Sequence, residues 1–117
     1  MTVRRLKTYT GSQGYVYQYY FVGKRPAAGV SAATEYIFDV SSDRKTTYAV
    51  SVTLQHEVVA AWAEAHGRPL ADSEQYAAVK MRLFRGFDEL EDMQAKGRFL
   101  KVDARSMEES LASLGVE

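Results

Sequence analysis

The stretch YVYQYYFV at residues 15–22 decides the fold, because all but one of its residues are aromatic or β-branched. Residues of these kinds are enriched in β-strands. Successive side chains of an extended chain point to opposite faces, which places four aromatic rings on one face: Tyr15, Tyr17, Tyr19 and Phe21. The other face is also largely apolar and carries Val16, Gln18, Tyr20 and Val22. We therefore predict a strand whose two faces are both shielded from water by other parts of the protein or by a partner. A strand at the protein surface, in contrast, has only one shielded face.

Two further strands are predicted to form a hairpin after this stretch. Residues 34–40 alternate between apolar and polar side chains, with one face made of Tyr36, Phe38 and Val40. Residues 47–54 alternate in the same way, with one face made of Tyr48, Val50, Val52 and Leu54. The polar residues 41–45 supply the turn between them. This spacing predicts an antiparallel pair with one buried face.

Shorter signals complete the β-rich half of the chain. Residues 3–9 predict a first edge strand, and the glycines within the polar residues 10–14 predict the turn that follows. Gly23 is predicted to end the tyrosine-rich strand. Residues 24–33, which include Pro26 and Gly29, are predicted to form an exposed connection.

After Leu54 the hydrophobic period changes from two residues to about 3.6, which predicts helices. The first helix is expected over residues 55–66, ended by Gly67, with an inner stripe of Val58, Ala61, Trp62 and Ala65. A second helix, capped by Asp72 or Ser73, is expected to reach about Met93. Its apolar stripe consists of Tyr76, Val79, Leu83, Phe87 and Leu90. Gly86 within it costs about 1 kcal/mol relative to Ala, which predicts close packing or a kink.

The last part of the chain predicts a short strand and a short helix. Residues 99–102 follow Gly97 and are expected to be extended. Ser106 and Glu109 fit a capping box for a final helix. The inner face of that helix is predicted to be Met107, Leu111 and Leu114.

These patterns predict a single α+β domain over residues 1–117, mainly β from 1 to 54 and mainly α from 55 to 117. The expected architecture is an antiparallel sheet of four or five strands with two to three helices packed on one face. Hydrophobic residues make up 46% of the chain and charged residues 26%, the balance of an ordinary globular protein.

Composition also excludes several classes of function. The 117 residues include no cysteine, which excludes disulfides, thiolate zinc sites and thiol nucleophiles and favours the cytoplasm. Residues 1–7 are basic but are not followed by an apolar segment, so no signal peptide is predicted. No apolar stretch is long enough to span a bilayer, and we expect no association with a membrane.

The charges are unevenly distributed although the formal net charge is zero. Residues 1–53 carry seven basic and three acidic residues, a net charge of +4, while residues 54–117 carry eight and twelve, a net charge of −4. One interpretation is a basic half that binds a polyanion. The interpretation we favour is that the two halves complement each other, within the monomer or across a homodimer.

Six residues are candidates for a binding surface: Arg4, Arg5, Lys7, Tyr15, Tyr17 and Tyr19. Aromatic rings beside basic side chains are typical of platforms on which nucleic-acid bases stack. However, the sequence contains no RNP motif, no GXXG loop and no helix-turn-helix pattern. Aromatic residues are also enriched at the centres of protein interfaces.

No set of catalytic or metal-binding residues emerges from the sequence. His56 and Glu57 resemble the start of a zinc-protease helix, but Ala60 stands where the second histidine is needed. His66 is expected to interact with the C-terminal end of its helix. The acidic residues Asp88, Glu89, Glu91 and Asp92 are expected to form a solvated face in which Arg85 pairs with Asp88 and Glu89. We predict no cofactor and no metal.

The leading functional hypothesis is a non-catalytic binding or assembly module that acts through the tyrosine-rich sheet as a homodimer. The first alternative is a nucleic-acid-binding domain that uses the basic half. The second is a small enzyme or ligand-binding protein whose pocket between sheet and helices includes tyrosine hydroxyls, Glu57 or His56.

Overall fold

The computed structural model describes residues 6–27 and 32–116, which form an α+β fold as predicted. Its strands are β1 (Lys7–Thr10), β2 (Val16–Pro26), β3 (Ala33–Ser41), β4 (Tyr48–Gln55) and β5 (Phe99–Val102). Its helices are α1 (His56–His66), α2 (Asp72–Glu89), α3 (Met93–Lys96) and α4 (Ala104–Ser113).

The five strands form one sheet in the order β1-β2-β3-β4-β5. The first four are antiparallel neighbours. The chain reaches β5 through three helices rather than a tight turn, and β5 therefore lies parallel to β4. No helix within residues 6–27 and 32–116 is both long enough and apolar enough to cross a membrane.

The core lies between one face of the sheet and the helices. The predicted alternation of β3 and β4 is confirmed, because the side chains expected to be buried are buried: Tyr36, Phe38, Val40, Tyr48, Val50, Val52 and Leu54. The stripe of α2 is confirmed at its centre, where Val79, Leu83 and Phe87 are fully buried. Core residues from the β-rich half and the helical half belong to one continuous cluster.

The tyrosine-rich strand is longer than predicted. Gly23 does not end it, and residues 24–26, predicted to be part of an exposed connection, continue to pair with β3 as far as Pro26. The register shifts between Phe21 and Gly23, where one extra residue forms a bulge. A bulge absorbs the irregularity of a glycine without ending the pairing, and for this reason the strand continues. The other end differs as well, because β2 begins at Val16 and not at Tyr15.

The helix ends also differ from the predictions. The N-cap of α2 is Ala71, because the Glu74 carboxylate accepts a hydrogen bond from the Ala71 N–H at 2.9 Å. This helix ends at Glu89 rather than near residue 93. In α4 the cap is Asp103, whose carboxylate accepts from the Ser106 N–H at 2.7 Å, so that Ser106 lies within the helix.

Two side-chain predictions for the helices are corrected and one glycine prediction is confirmed. Leu114, predicted to be an inner residue, is 49% exposed. In α1 only Val58 and Trp62 of the predicted stripe are buried, and Ala61 and Ala65 are exposed. Gly86 is closely packed as predicted, since a Cβ there would lie 3.1 Å from Cδ1 of Leu100.

Candidate functional site

Tyr17 and Tyr19 are core residues. Their side chains are only 2% and 4% exposed. The ring of Tyr17 stacks on that of Phe87 with centroids 4.2 Å apart, and the ring of Tyr19 lies against Phe84 and Phe87. Burial raises the pKa of both phenols. Because α2 covers this face, neither ring is available to stack on a nucleic-acid base.

The other predicted binding residues do not form a single surface with these two tyrosines. Tyr15 lies in the turn before β2 and is 50% exposed. Lys7 lies on the edge strand β1 opposite Tyr19, which places it at the margin of the helix-covered face. Arg4 and Arg5 lie outside the described residues, as do Val3 and Gly29. The aromatic and basic residues are thus divided between the core and its margin.

The opposite face of the sheet carries the alternate side chains of the strands, which at the centres of β3 and β4 are half-buried or exposed rather than buried. One lateral row of neighbouring residues on this face runs from β5 to β2: Phe99, Ser51, Ile37 and Gly23. The next row contains Ala49, Asp39 and Tyr20. Tyr20 and Ile37 are half-buried by their neighbours within the sheet, and Val16 is 37% exposed. We call this surface the open face.

Phe99 is the most exposed large apolar side chain on the open face, at 84%. It lies on the edge strand β5, whose alternate residues Leu100 and Val102 are buried. The guanidinium of Arg82 donates to the carbonyl of Lys101 at 3.0 Å, which occupies one backbone group of that strand. Phe99 therefore does not contribute to the core, although its strand does.

Two polar pairs on the open face join the neighbouring strands β2 and β3. The Tyr20 hydroxyl donates to the Asp39 carboxylate at 2.7 Å. Arg25 Nε lies 2.6 Å from the Glu35 carboxylate across β2 and β3. The pKa of the Glu35 carboxyl is lowered, first by the Ser51 hydroxyl and second by the Arg25 guanidinium. These pairs fix the positions of negatively and positively charged side chains on the open face.

The two histidines have separate structural roles. His56 Nε2 lies 3.0 Å from Thr34 Oγ1, and His56 lines an open depression of about 420 Å³ in which neither Glu57 nor a tyrosine takes part. His66 stacks on Trp62 with ring centroids 4.1 Å apart, and its Nε2 lies 2.7 Å from a carboxylate oxygen of Glu108. The described residues contain no group of three side chains placed to hold a metal ion.

The acidic cluster at the end of α2 is divided in two. Arg85 pairs with Glu89 at 2.6 Å, as predicted. Asp88 does not pair with Arg85, because its carboxylate accepts hydrogen bonds from the Tyr9 hydroxyl and the Ser12 N–H. Asp88 thus joins the helix to the edge strand, a contact that no local pattern in the sequence indicates.

The geometry defines an α+β protein with one helix-covered face and one open face. A comparison of the chain with protein-family models, curated proteins and solved structures found no match.

Proposed function

We propose that the protein is a non-catalytic assembly module in which a second copy of the chain covers the open face. The observation that carries the proposal is the row through Phe99, Ile37 and Gly23, which is apolar apart from Ser51 and lies on the face of the sheet opposite the core. Apolar and aromatic side chains that do not serve the core stabilise a protein when a partner removes them from water.

The charge distribution favours a second copy as the partner. The open face carries basic residues (Arg25, Lys101) and acidic residues (Glu35, Asp39). In a two-fold dimer the same patch meets itself in the opposite orientation, so a patch that holds both signs is able to complement itself. The formal net charge of zero adds no overall repulsion between copies.

A cytoplasmic location fits this proposal. The 117 residues include no cysteine, so the fold does not depend on disulfides or on the oxidising compartments in which they form. Binding of nucleic acid is less well supported, because Tyr17 and Tyr19 would have to leave the core to reach a base.

Sedimentation equilibrium at tens of micromolar tests the proposal. We expect a dimer whose dissociation constant rises at least about tenfold in Phe99→Ser, since an aromatic residue at the centre of an interface contributes about 2 kcal/mol or more and tenfold corresponds to about 1.4 kcal/mol. Leu114→Ser is the matched control, because Leu114 is also an exposed large apolar residue but lies at the C-terminal end of α4 and not on a strand.

Two results would overturn the proposal. A wild-type protein that remains monomeric throughout this concentration range has no self-association to explain. A dimer that is weakened by Leu114→Ser and not by Phe99→Ser uses the helical side instead of the open face.

A further inference from the structure

Two lysines meet at the margin of the helix-covered face, and neither has an acidic partner among the residues that the structure describes. Lys7 of β1 lies opposite Tyr19, and the side chain of Lys80 in α2 interacts with that of Lys7. Lys80 Nζ lies 5.6 Å from the ring centroid of Tyr76 and 5.9 Å from that of Phe84. Among the described residues, all ion pairs use other side chains. The positive charge here is therefore not neutralised by the described part of the protein.

The two ammonium groups affect each other. Burial lowers the pKa of Lys80, and the neighbouring Lys7 lowers it further. Like charges at short range repel, and partial burial strengthens the repulsion because less water separates them. The aromatic rings beside Lys80 offset part of this cost through cation–π attraction. A bound anion would offset the remaining repulsion between the two ammonium groups.

An apolar cavity of about 230 Å³ adjoins Lys80. Its walls are Tyr76, Ala77, Lys80, Met81, Phe84 and Leu114. The cavity is larger than the space of about 150 Å³ that holds benzene in an engineered protein core, and smaller than the roughly 300–1,000 Å³ typical of sites for drug-sized ligands. It therefore has the size for a single ring with a short substituent.

The charges around this cavity determine the orientation of an anionic ligand within it. A neighbouring depression of about 440 Å³ shares Met81 and Phe84 with it and is also lined by Arg85, Asp88 and Glu109. Arg85 is already paired with Glu89 at 2.6 Å and lies 3.9 Å from Glu109, so its charge is offset by carboxylates. Among the residues that the structure describes, Lys80 is the one charged side chain that lines the cavity itself, and a ligand anion is therefore expected at the end that holds Lys80.

We propose that this cavity binds a small aromatic monocarboxylate, with the carboxylate between Lys7 and Lys80 and the ring against Phe84 and Met81. The walls supply apolar burial, and the ammonium groups supply the charge-assisted hydrogen bonds that select an acid. The site lies on the opposite side of the sheet from the open face, so it does not depend on the proposed dimer.

The test is titration of the full chain with phenylacetate, followed by two-dimensional amide NMR and by calorimetry. We expect amide shifts confined to β1, to residues 76–84 and to the end of α4. The neutral analogue 2-phenylethanol should bind at least about tenfold more weakly, because it cannot pair with the ammonium groups. Inorganic phosphate, which lacks the ring, should produce no comparable shifts.

A pair of variants separates a defined site from general attraction to a basic protein. Lys80→Met is expected to weaken phenylacetate at least about tenfold, while Lys96→Met, which removes an exposed lysine on α3, should leave binding unchanged. Far-UV circular dichroism verifies that both variants fold. Equal effects of the two variants, equal binding of phenylacetate and 2-phenylethanol, or no shifts at millimolar ligand would each overturn the proposal.

Discussion

The Tyr9 hydroxyl donates to the Asp88 carboxylate, with distances of 3.0 and 2.9 Å to the two oxygens, and so joins residues 79 positions apart. The same carboxylate accepts from the Ser12 N–H at 2.9 Å, and the Ser12 hydroxyl donates to the Asp88 carbonyl at 3.1 Å. The ring of Tyr9 stacks on Phe84 at 4.4 Å. The end of α2 therefore anchors both the edge strand and the turn that leads into β2.

We predict that Tyr9→Phe lowers the free energy of unfolding by about 1.5–3 kcal/mol, the usual contribution of a hydrogen bond to a charged group. The substitution keeps the stacked ring and removes only the hydroxyl. Urea denaturation measures the change. Tyr15→Phe is the matched control, since Tyr15 is half exposed and should tolerate the loss within about 0.5 kcal/mol. Equal losses in both variants would contradict a role for the bond to Asp88.

Gly11 gives a second test of the same junction. A Cβ at Gly11 would lie 2.9 Å from the carbonyl oxygen of Phe87, and a backbone atom at the end of a helix cannot move aside as a side chain can. We predict that Gly11→Ala costs about 1–3 kcal/mol, the range for overpacking. Gly23→Ala is the control, because no atom lies within 4 Å of a Cβ at that position. Similar thermal midpoints for both variants would show that the backbone at this junction moves enough to accommodate a methyl group.

Two phenylalanines separate the core from the open face. Phe87 is 0% exposed and Phe99 is 84% exposed. We predict that Phe87→Ala costs about 3–5 kcal/mol, because it leaves a cavity beneath Tyr17. Phe99→Ala should change stability by less than about 0.5 kcal/mol. Urea denaturation at submicromolar protein, where self-association contributes little, measures both values. A large loss in Phe99→Ala would assign Phe99 to the core of the monomer.

The strands and helices that could be predicted are those whose signal is local. The alternation in β3 and β4 and the stripe of α2 repeat every two or 3.6 residues, and burial of one face follows from the repeat alone. The extension of β2 beyond Gly23 could not be predicted, because the bulge depends on pairing with β3. The same holds for the cap of α2, which depends on the carboxylate of Glu74 rather than on the residue that precedes the helix.

The candidate sites depend on contacts between distant parts of the chain. The tyrosine-rich stretch indicated two apolar faces, but only the packing of Phe84 and Phe87 against Tyr17 and Tyr19 determines which face is covered. Lys7 was a predicted binding residue because of its charge. Its neighbour Lys80 comes from another element, and no periodicity relates the two.

The turn between β3 and β4 gives a prediction for pH. The Asp43 carboxylate accepts from the Lys45 N–H at 2.8 Å and the Thr46 N–H at 2.9 Å. These hydrogen bonds, with Thr46 first, lower the pKa of Asp43 from 3.8 to about 2. A carboxyl whose pKa is lower in the folded state stabilises the fold fully above the unfolded pKa, and this contribution is lost as the pH falls through the folded pKa.

We therefore expect Asp43→Asn to have a lower free energy of unfolding than the wild type at pH 7. The difference in free energy between the two proteins should narrow as the pH falls from about 4 toward 2. The amide keeps an acceptor oxygen but carries no charge, so the comparison isolates the ionised carboxylate. Urea midpoints at pH 7 and pH 3 measure the narrowing. Lys45→Met changes a charge in the same turn and leaves the backbone donor in place, so its difference from the wild type should not narrow in this way. A difference for Asp43→Asn that is the same at both pH values would mean that the hydrogen bonds to Asp43 do not favour the ionised form.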